Sequence, residues 1–571
     1  MTTLEAKLGS AGSAPFPWSK GISRLLGAPL GLSALTAFLL LFLAAPLLLV
    51  LERSAQDASG SFVLFDNYVT YFSHPSSWRM IENSIFIAAV STVTTVTLAL
   101  LFAFSLSRSC MRFKGFFRSI ALLPLLTPSL LSAMALTQLF GNQGYLRDLM
   151  MGYSVYGPIG IVAGMTISHF PHVFIILSAA VSLSDERLYE AARVMQTGRL
   201  RLFRTITLPG IKYGLISAII VSFTLCLTDF GIPKVIGGNY SVLATEIYKQ
   251  VVGQQNFQIG AVISIVLLTP AVVAFVIDRA VRRRQAAMMT SRSVPLTPRP
   301  SPLIDTAALL FCSGIGIVMV AVIAVPAYAS FIKFWPYNLE LTLRNYQFDR
   351  FAGGGWESYF NSLRMALMTA VIGTAMIFLG AYLSEKSSAP RWLRGLYQAL
   401  SVFPMAVPGL VLGLSYIFFL NNPSNPLEIL YGTLLILVIS SIVHYYTVGH
   451  LTAVTSLRQL DNEFELVSDS LRVPRHRLFF TVTVPICMPA VLDISAYLFL
   501  NAMTTVSAAV FLYAHDTSLA AIAVVNMDDA GEYAPAAAMA MVIVVTCVCA
   551  RCLHLLATRS LSARSQAWKL K

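Results

Sequence analysis

Residues 185–211 read DERLYEAARVMQTGRLRLFRTITLPGI, and residues 461–486 read DNEFELVSDSLRVPRHRLFFTVTVPI. Each stretch is polar and carries several arginines, and each sits between apolar runs: 158–183 and 211–233 around the first, 430–453 and 489–512 around the second. An α-helix needs about 20 apolar residues to cross a bilayer, so both stretches are loops between membrane spans. Asp185 leads Pro209 by twenty-four residues, and Asp461 leads Pro485 by the same twenty-four. Two like loops at matching positions point to a duplicated membrane protein.

Working outward, the same criterion gives about twelve spans, adding 28–51, 84–107, 117–140, 258–278, 305–331, 362–384, 397–420 and 535–557. The composition agrees. Charged residues are only 12% and hydrophobic residues 56%, with mean hydropathy +0.71. A soluble domain carries about a quarter charged residues, so most of this surface faces lipid. The net charge of +13 comes from clusters between spans and not from a basic-aromatic motif, which argues against nucleic acid. The seven cysteines lie in or beside apolar runs without zinc or redox spacing and read as small core residues. Lys7, Lys20 and Arg24 precede the run Ala28–Leu51, which is too long for a signal-peptide core and lacks a cleavage site. It is expected to stay as the first span.

Lys and Arg fill the loops at 108–118, 184–210, 279–304, 385–396 and 454–488, whereas 513–534 holds Asp516, Asp528, Asp529 and Glu532 and no Lys or Arg. The positive-inside rule then places the basic loops and both termini in the cytoplasm. The Ser/Thr/Pro-rich stretch 285–303 reads as a cytoplasmic linker between halves 1–284 and 304–571.

The halves share landmarks. Asn67-Tyr68 precedes Asn83-Ser84 by sixteen residues, and Asn345-Tyr346 precedes Asn361-Ser362 by sixteen. Pro124 and Pro128 match Pro404 and Pro408, and the offset between halves stays between 276 and 280 throughout. A constant offset is the signature of duplication. Six spans per half is an even number, so the repeat is parallel. The expected fold is therefore an all-α polytopic membrane protein of two parallel six-helix repeats.

Within the first loop, Asp185 or Ser184 can cap a short helix, small Ala191 and Ala192 allow close approach of a partner, and Pro209 is expected to end it. With Glu190-Ala191-Ala192 and Ile206-Thr207-Leu208-Pro209, this loop resembles the EAA loop of type I ABC importer permeases. The resemblance implies a coupling helix docked on an ATPase subunit, carried by Glu190, Ala191, Ala192, Gly198 and Pro209. Gln196 stands where the family has glycine. The second loop departs further: Leu466, Val467 and Ser468 replace Glu-Ala-Ala and Arg472 the glycine, while Pro485 is kept. An ordinary amphipathic surface helix is the plainer alternative. No G-x-x-x-x-G-K-[ST] stretch occurs, so ATP is expected to be hydrolysed by a separate chain in two copies, with no catalytic residue, metal or cofactor here.

Few polar groups lie inside the spans. Asp229, at the outer end of the fifth span, is costly there and so a candidate for the translocation pathway. Pairing with Lys234 or capping a local chain end is the alternative. About eighteen residues from the start of its span, or roughly 27 Å, put it near the outer mouth; Thr505 is its counterpart. Pro124, Pro128, Pro404 and Pro408 break the third span of each half and could line a gate. His169, His172 and His444 read as packed side chains, and Gly160/Gly164 and Gly409/Gly413 as close-packing positions. The fused length and the stretch DFGIPKVIGGNYSVLATEIYKQVVGQQNFQIGA resemble permeases assigned to 2-aminoethylphosphonate, with ferric iron, thiamine, sulfate and polyamine permeases as near relatives. That resemblance implies a periplasmic substrate-binding protein as a further partner and a bacterial inner-membrane location. An ion-coupled secondary transporter is the rival class.

Overall fold

The computed structural model describes residues 29–57, 59–182, 185–288, 296–387, 389–423, 425–461 and 463–565. Lys7, Lys20, Arg24, Ser184, Arg292 and the centre of the linker stretch lie outside them.

Among the described residues nine helices are long and apolar enough to span a membrane: Pro29–Ser54, Pro75–Arg108, Pro158–Ser182, Leu200–Thr228, Phe257–Val281, Pro302–Ser330, Gly355–Lys386, Leu434–Arg458 and Tyr533–Arg559. Two further helix pairs meet the same test only together and are bent: Arg391–Ala406 with Gly409–Leu420, by 114°, and Arg475–Ile486 with Met488–Thr504, by 76°. The twelfth expected span, 117–140, is not one helix. It comprises Lys114–Ala121, the tight turn Leu123–Leu126 and Ser129–Phe140. Proline removes a backbone donor and forces the preceding residue into extended backbone. Thr127, before Pro128, has ψ 144°, and Val407, before Pro408, has ψ 116°. The four prolines thus break both third spans, as their spacing suggests.

Three expectations need correction. The fifth spans are shorter at their far ends than the apolar runs 211–233 and 489–512 suggest, stopping at Thr228 and Thr504. Pro209 does not end a helix; it lies within the continuous run Leu200–Thr228. The wide turn Phe203–Thr207 just before it already interrupts the regular hydrogen-bond ladder, so the missing N–H costs little. The acidic stretch 513–534 is not an open loop, because it contains the buried helix Ala520–Asp529.

The shared landmarks are the same hydrogen bonds built twice. Asn67 Nδ2 donates to the carbonyls of Ser54 (3.0 Å) and Gln56 (2.8 Å), and Asn345 Nδ2 to those of Ser330 (2.9 Å) and Ile332 (2.7 Å). Tyr68 meets the Ser54 hydroxyl at 2.8 Å, and Tyr346 the Ser330 hydroxyl at 2.9 Å. Ser84 Oγ accepts from Leu243 N, and Ser362 Oγ from Ala520 N, both at 2.8 Å. These side chains satisfy backbone groups where the chain leaves a helix, which explains their retention in both halves.

The halves interlock. Pro29–Ser54 packs on Phe257–Met288 of its own half and on Gly409–Leu420 of the other; Pro302–Ser330 packs on Tyr533–Ser565 and on Ser129–Phe140. The Tyr416 hydroxyl donates to the Phe42 carbonyl at 2.6 Å across this seam. The helix Phe257–Met288 runs four residues into the stretch read as linker.

Candidate functional site

The two loops form short helices outside the spans, Glu186–Val194 and Glu463–Ser470. Asp185 caps the first, its carboxylate accepting from the Arg187 amide at 3.1 Å. Tyr189 and Ala192, three apart and therefore on one face, point inward. Leu188, Glu190, Ala191, Val194 and Met195 are exposed. In the second helix Ser468, equivalent to Ala192, is the buried residue, and Phe464, Leu466, Val467 and Leu471 are exposed. Met195 and Leu471, at equivalent positions, are 78% and 71% exposed. Apolar side chains left in water at matching places on two helices mark a surface for a partner.

Both helices end alike. Gln196 and Arg472 each have φ 52°. The Thr197 amide donates to the Ala192 carbonyl and the Val473 amide to the Ser468 carbonyl, each at 2.9 Å. This is the left-handed helix termination that glycine adopts most easily, so the position where glycine is expected is a backbone requirement met here by Gln and Arg. It also shows that the first helix ends at this turn, just before the run Leu200–Thr228 begins, and not at Pro209.

Each helix is tied to the end of its half's second span. The Tyr189 hydroxyl accepts from Arg108 Nη2 at 2.9 Å and meets Thr207 Oγ1 at 2.9 Å, with the Arg108 guanidinium 4.5 Å above the ring centre. In the second half Lys386, equivalent to Arg108, pairs with Glu465, equivalent to Tyr189, at 3.3 Å. A push on the first helix therefore reaches two spans through polar contacts, and a push on the second reaches the second span of its half. Sequence reading missed Tyr189, Arg108, Lys386 and Glu465. A signal was present: a basic residue closes the second span of each half, 278 residues apart.

Asp229 sits elsewhere than expected. Its Oδ2 lies 3.2 Å from His169 Nε2, and Oδ1 accepts from the Ile232 amide at 3.3 Å. His169 is the twelfth residue of Pro158–Ser182, so the carboxylate is near mid-depth rather than at the mouth. Lys234 is not its partner. Capping of the local helix Gly231–Ile236 does hold. Around this pair Thr92 and Ser222 face the Cys226 thiol, and His172 Nδ1 has no hydrogen-bond partner among the described residues. At the equivalent positions of the second half, Tyr445 faces Thr505, a neutral pair where the first half has a titratable one.

A family described as the binding-protein-dependent transport system inner membrane component matches residues 95–287 and 376–562, two copies covering most of the chain. The chain belongs to this family. It is a fused type I ABC importer permease. The ferric transport system permease protein FbpB of Actinobacillus pleuropneumoniae is 27% identical to this permease over 482 residues, 82% of this chain and 69% of that protein. The Fe(3+)-transport system permease protein FbpB 2 of Haemophilus influenzae is 24% identical over 517 residues, 90% of this chain and 96% of that protein. A thiamine transport system permease protein, ThiP of Brucella abortus, is 28% identical over 207 residues, 35% of this chain and 37% of that protein. A solved bacterial alginate ABC transporter chain aligns with 49% of this permease and 99% of its own length, at 20% identity and TM-score 0.39.

In the permease, Gly198 starts the link to the fifth span and has open space around it. The four span-breaking prolines stand at the entrances of Ser129–Phe140 and Gly409–Leu420, the two helices that receive the other half's first span. Gly164 lets Ile232 approach to where a Cβ would be 2.9 Å away, and Gly409 does the same for Ser507 at 2.4 Å. The close-packing glycines thus seat the segment that follows each fifth span.

Proposed function

We propose that this permease moves a small polar solute from periplasm to cytoplasm, driven by two copies of a separate ATPase docked on Glu186–Val194 and Glu463–Ser470. The observation that carries the reading is the pair of equivalent helices, each anchored inward to the end of a span and exposing apolar residues outward. Glu190 and Ala191 form the first contact, with Ala192, expected at the contact, packed inward beneath it and Gly198 and Pro209 behind; Leu466 and Val467 form the second, with Ser468 packed inward and Pro485 behind. Because Tyr189–Arg108 differs chemically from Glu465–Lys386, the two contacts are not equivalent. The units are 1–284 and 304–571 joined by 285–303, in the inner membrane, with both termini and the docking helices cytoplasmic. A periplasmic binding protein delivers the cargo.

For the cargo, the sequence resemblance of Asp229–Ala261 supports 2-aminoethylphosphonate. Ferric iron is the second reading, supported by the ferric permeases at 27% and 24% identity. Uptake of aminoethylphosphonate, ferric iron and thiamine by cells with and without this permease separates them. The aminoethylphosphonate reading expects only its uptake to fall on deletion; unchanged uptake sinks it. Transport that survives loss of the ATPase but collapses with the proton or sodium gradient would overturn the ATP-driven reading itself.

A further inference from the structure

The outer end of the molecule holds a charged contact between the halves that the repeat does not require. Lys234 Nζ, on the short helix Gly231–Ile236 of the first half, lies 3.0 Å from Asp529 Oδ2 at the end of Ala520–Asp529 in the second. The lysine side chain is 22% exposed and the aspartate 48%. Lys234 also sits 5.2 Å over the Tyr248 ring, and Tyr248 stacks on Phe511 of the second half, centroids 6.2 Å apart. With the offset of 276 that pairs Asp229 with Thr505, Lys234 corresponds to Val510, and with the 277 that pairs Leu243 with Ala520, Asp529 corresponds to Val252. The ion pair is therefore a one-sided addition.

Its location follows from the first half's own contacts. The Ile236 carbonyl accepts from the Gly157 amide at 2.9 Å, just before Pro158–Ser182 begins, at the end of that span opposite the docking helix. The other end of the Gly231–Ile236 helix is held at mid-depth by Asp229 beside His169. Asp229 thus positions the helix that presents Lys234.

We infer that Lys234 and Asp529, backed by the Tyr248–Phe511 stack, form the closing contact of the two halves at the outer end of the pathway, which must part for cargo to enter. The inference rests on the reading of the chain as a transporter with its pathway between the halves. Its test needs neither ATPase nor cargo, so failure of the ATP-driven reading leaves the test intact.

The experiment is hydrogen–deuterium exchange on the purified full-length permease, following peptides from 228–249 and 505–530. Lys234→Asp and Asp529→Lys each put like charges together, and each should raise exchange in both segments by about tenfold, since exchange from an opened state tracks its population. The exchanged pair Lys234→Asp/Asp529→Lys should return both segments to wild-type rates. Lys234→Met, which removes only the charge, should raise exchange less and serves if a reversal variant fails to fold. Wild-type exchange in Lys234→Met and the reversal variants, or a double variant as open as the singles, would overturn the inference.

Discussion

Replacing Tyr189 with Phe removes one oxygen and little else, so its cost can be worked from the contacts. The hydroxyl accepts one bond from a charged guanidinium and shares another with Thr207, both at 2.9 Å. A bond to a charged group contributes about 1.5–3 kcal/mol and a neutral one about 0.5–1.5. Phe keeps the ring and the guanidinium above it, an interaction worth about 0.5–1 kcal/mol. With partial rebonding of Arg108 and Thr207 to water, a loss of about 2 kcal/mol falls on the docking of the Glu186–Val194 helix rather than on the core. At 1.4 kcal/mol per factor of ten, the helix should open about thirtyfold more often. Hydrogen–deuterium exchange of peptides spanning 186–197 measures this directly, and the same variant should move less cargo per ATP hydrolysed. Exchange within twofold of wild type would refute the view that Tyr189 ties the helix to the spans.

Other expectations follow from single contacts. Burial, with Asp529 alongside, pushes the Asp528 carboxyl up to about 7 from an ordinary 3.8, while Lys234 pulls it back. An acid with a raised folded-state value supports folding at low pH and loses that support as pH rises from about 4 to 7; three units correspond to at most about 4 kcal/mol. Asp528→Asn should therefore raise the thermal midpoint at pH 8 but hardly at pH 4, and an equal shift at both would contradict the assignment. Asp229→Asn should slow uptake without changing which cargo is accepted; normal uptake would make its helix cap sufficient. Single cysteines in 513–534, in a background lacking the native ones, should react with an impermeant reagent outside sealed cells at their exposed positions, whereas those in 184–210 should not. Labelling of the latter from outside would reverse the orientation.

Much of the architecture was legible because it depends on local physics. Apolar length gave the spans, proline placed the breaks in the third spans, and Asn67 and Asn345 marked turns whose backbone groups need side-chain partners. The loop helices could be read from Asp185 and the Ala pair, and the left-handed turn at Gln196 and Arg472 explains why glycine is expected at that position. What escaped depends on long-range packing. Nothing in the spacing of His169 and Asp229, or of Lys234 and Asp529, says that these side chains meet, so Asp229 was placed by counting residues along its own span. That count starts at residue 211 and treats 211–233 as one straight span, whereas the helix runs from Leu200 and stops at Thr228. A proline stop and a proline beside a wide turn look the same in sequence, which is why Pro209 reads as a helix end.

The central claim is that two equivalent helices each hold one ATPase. Its most direct test is the number of ATPase copies that co-purify with the permease, counted by native mass spectrometry. Wild type should carry two. Ala191→Glu or Val467→Glu alone, each a charge placed on an exposed docking face, should carry one, and the two together none. Two copies retained by the doubly substituted, folded permease would contradict the account.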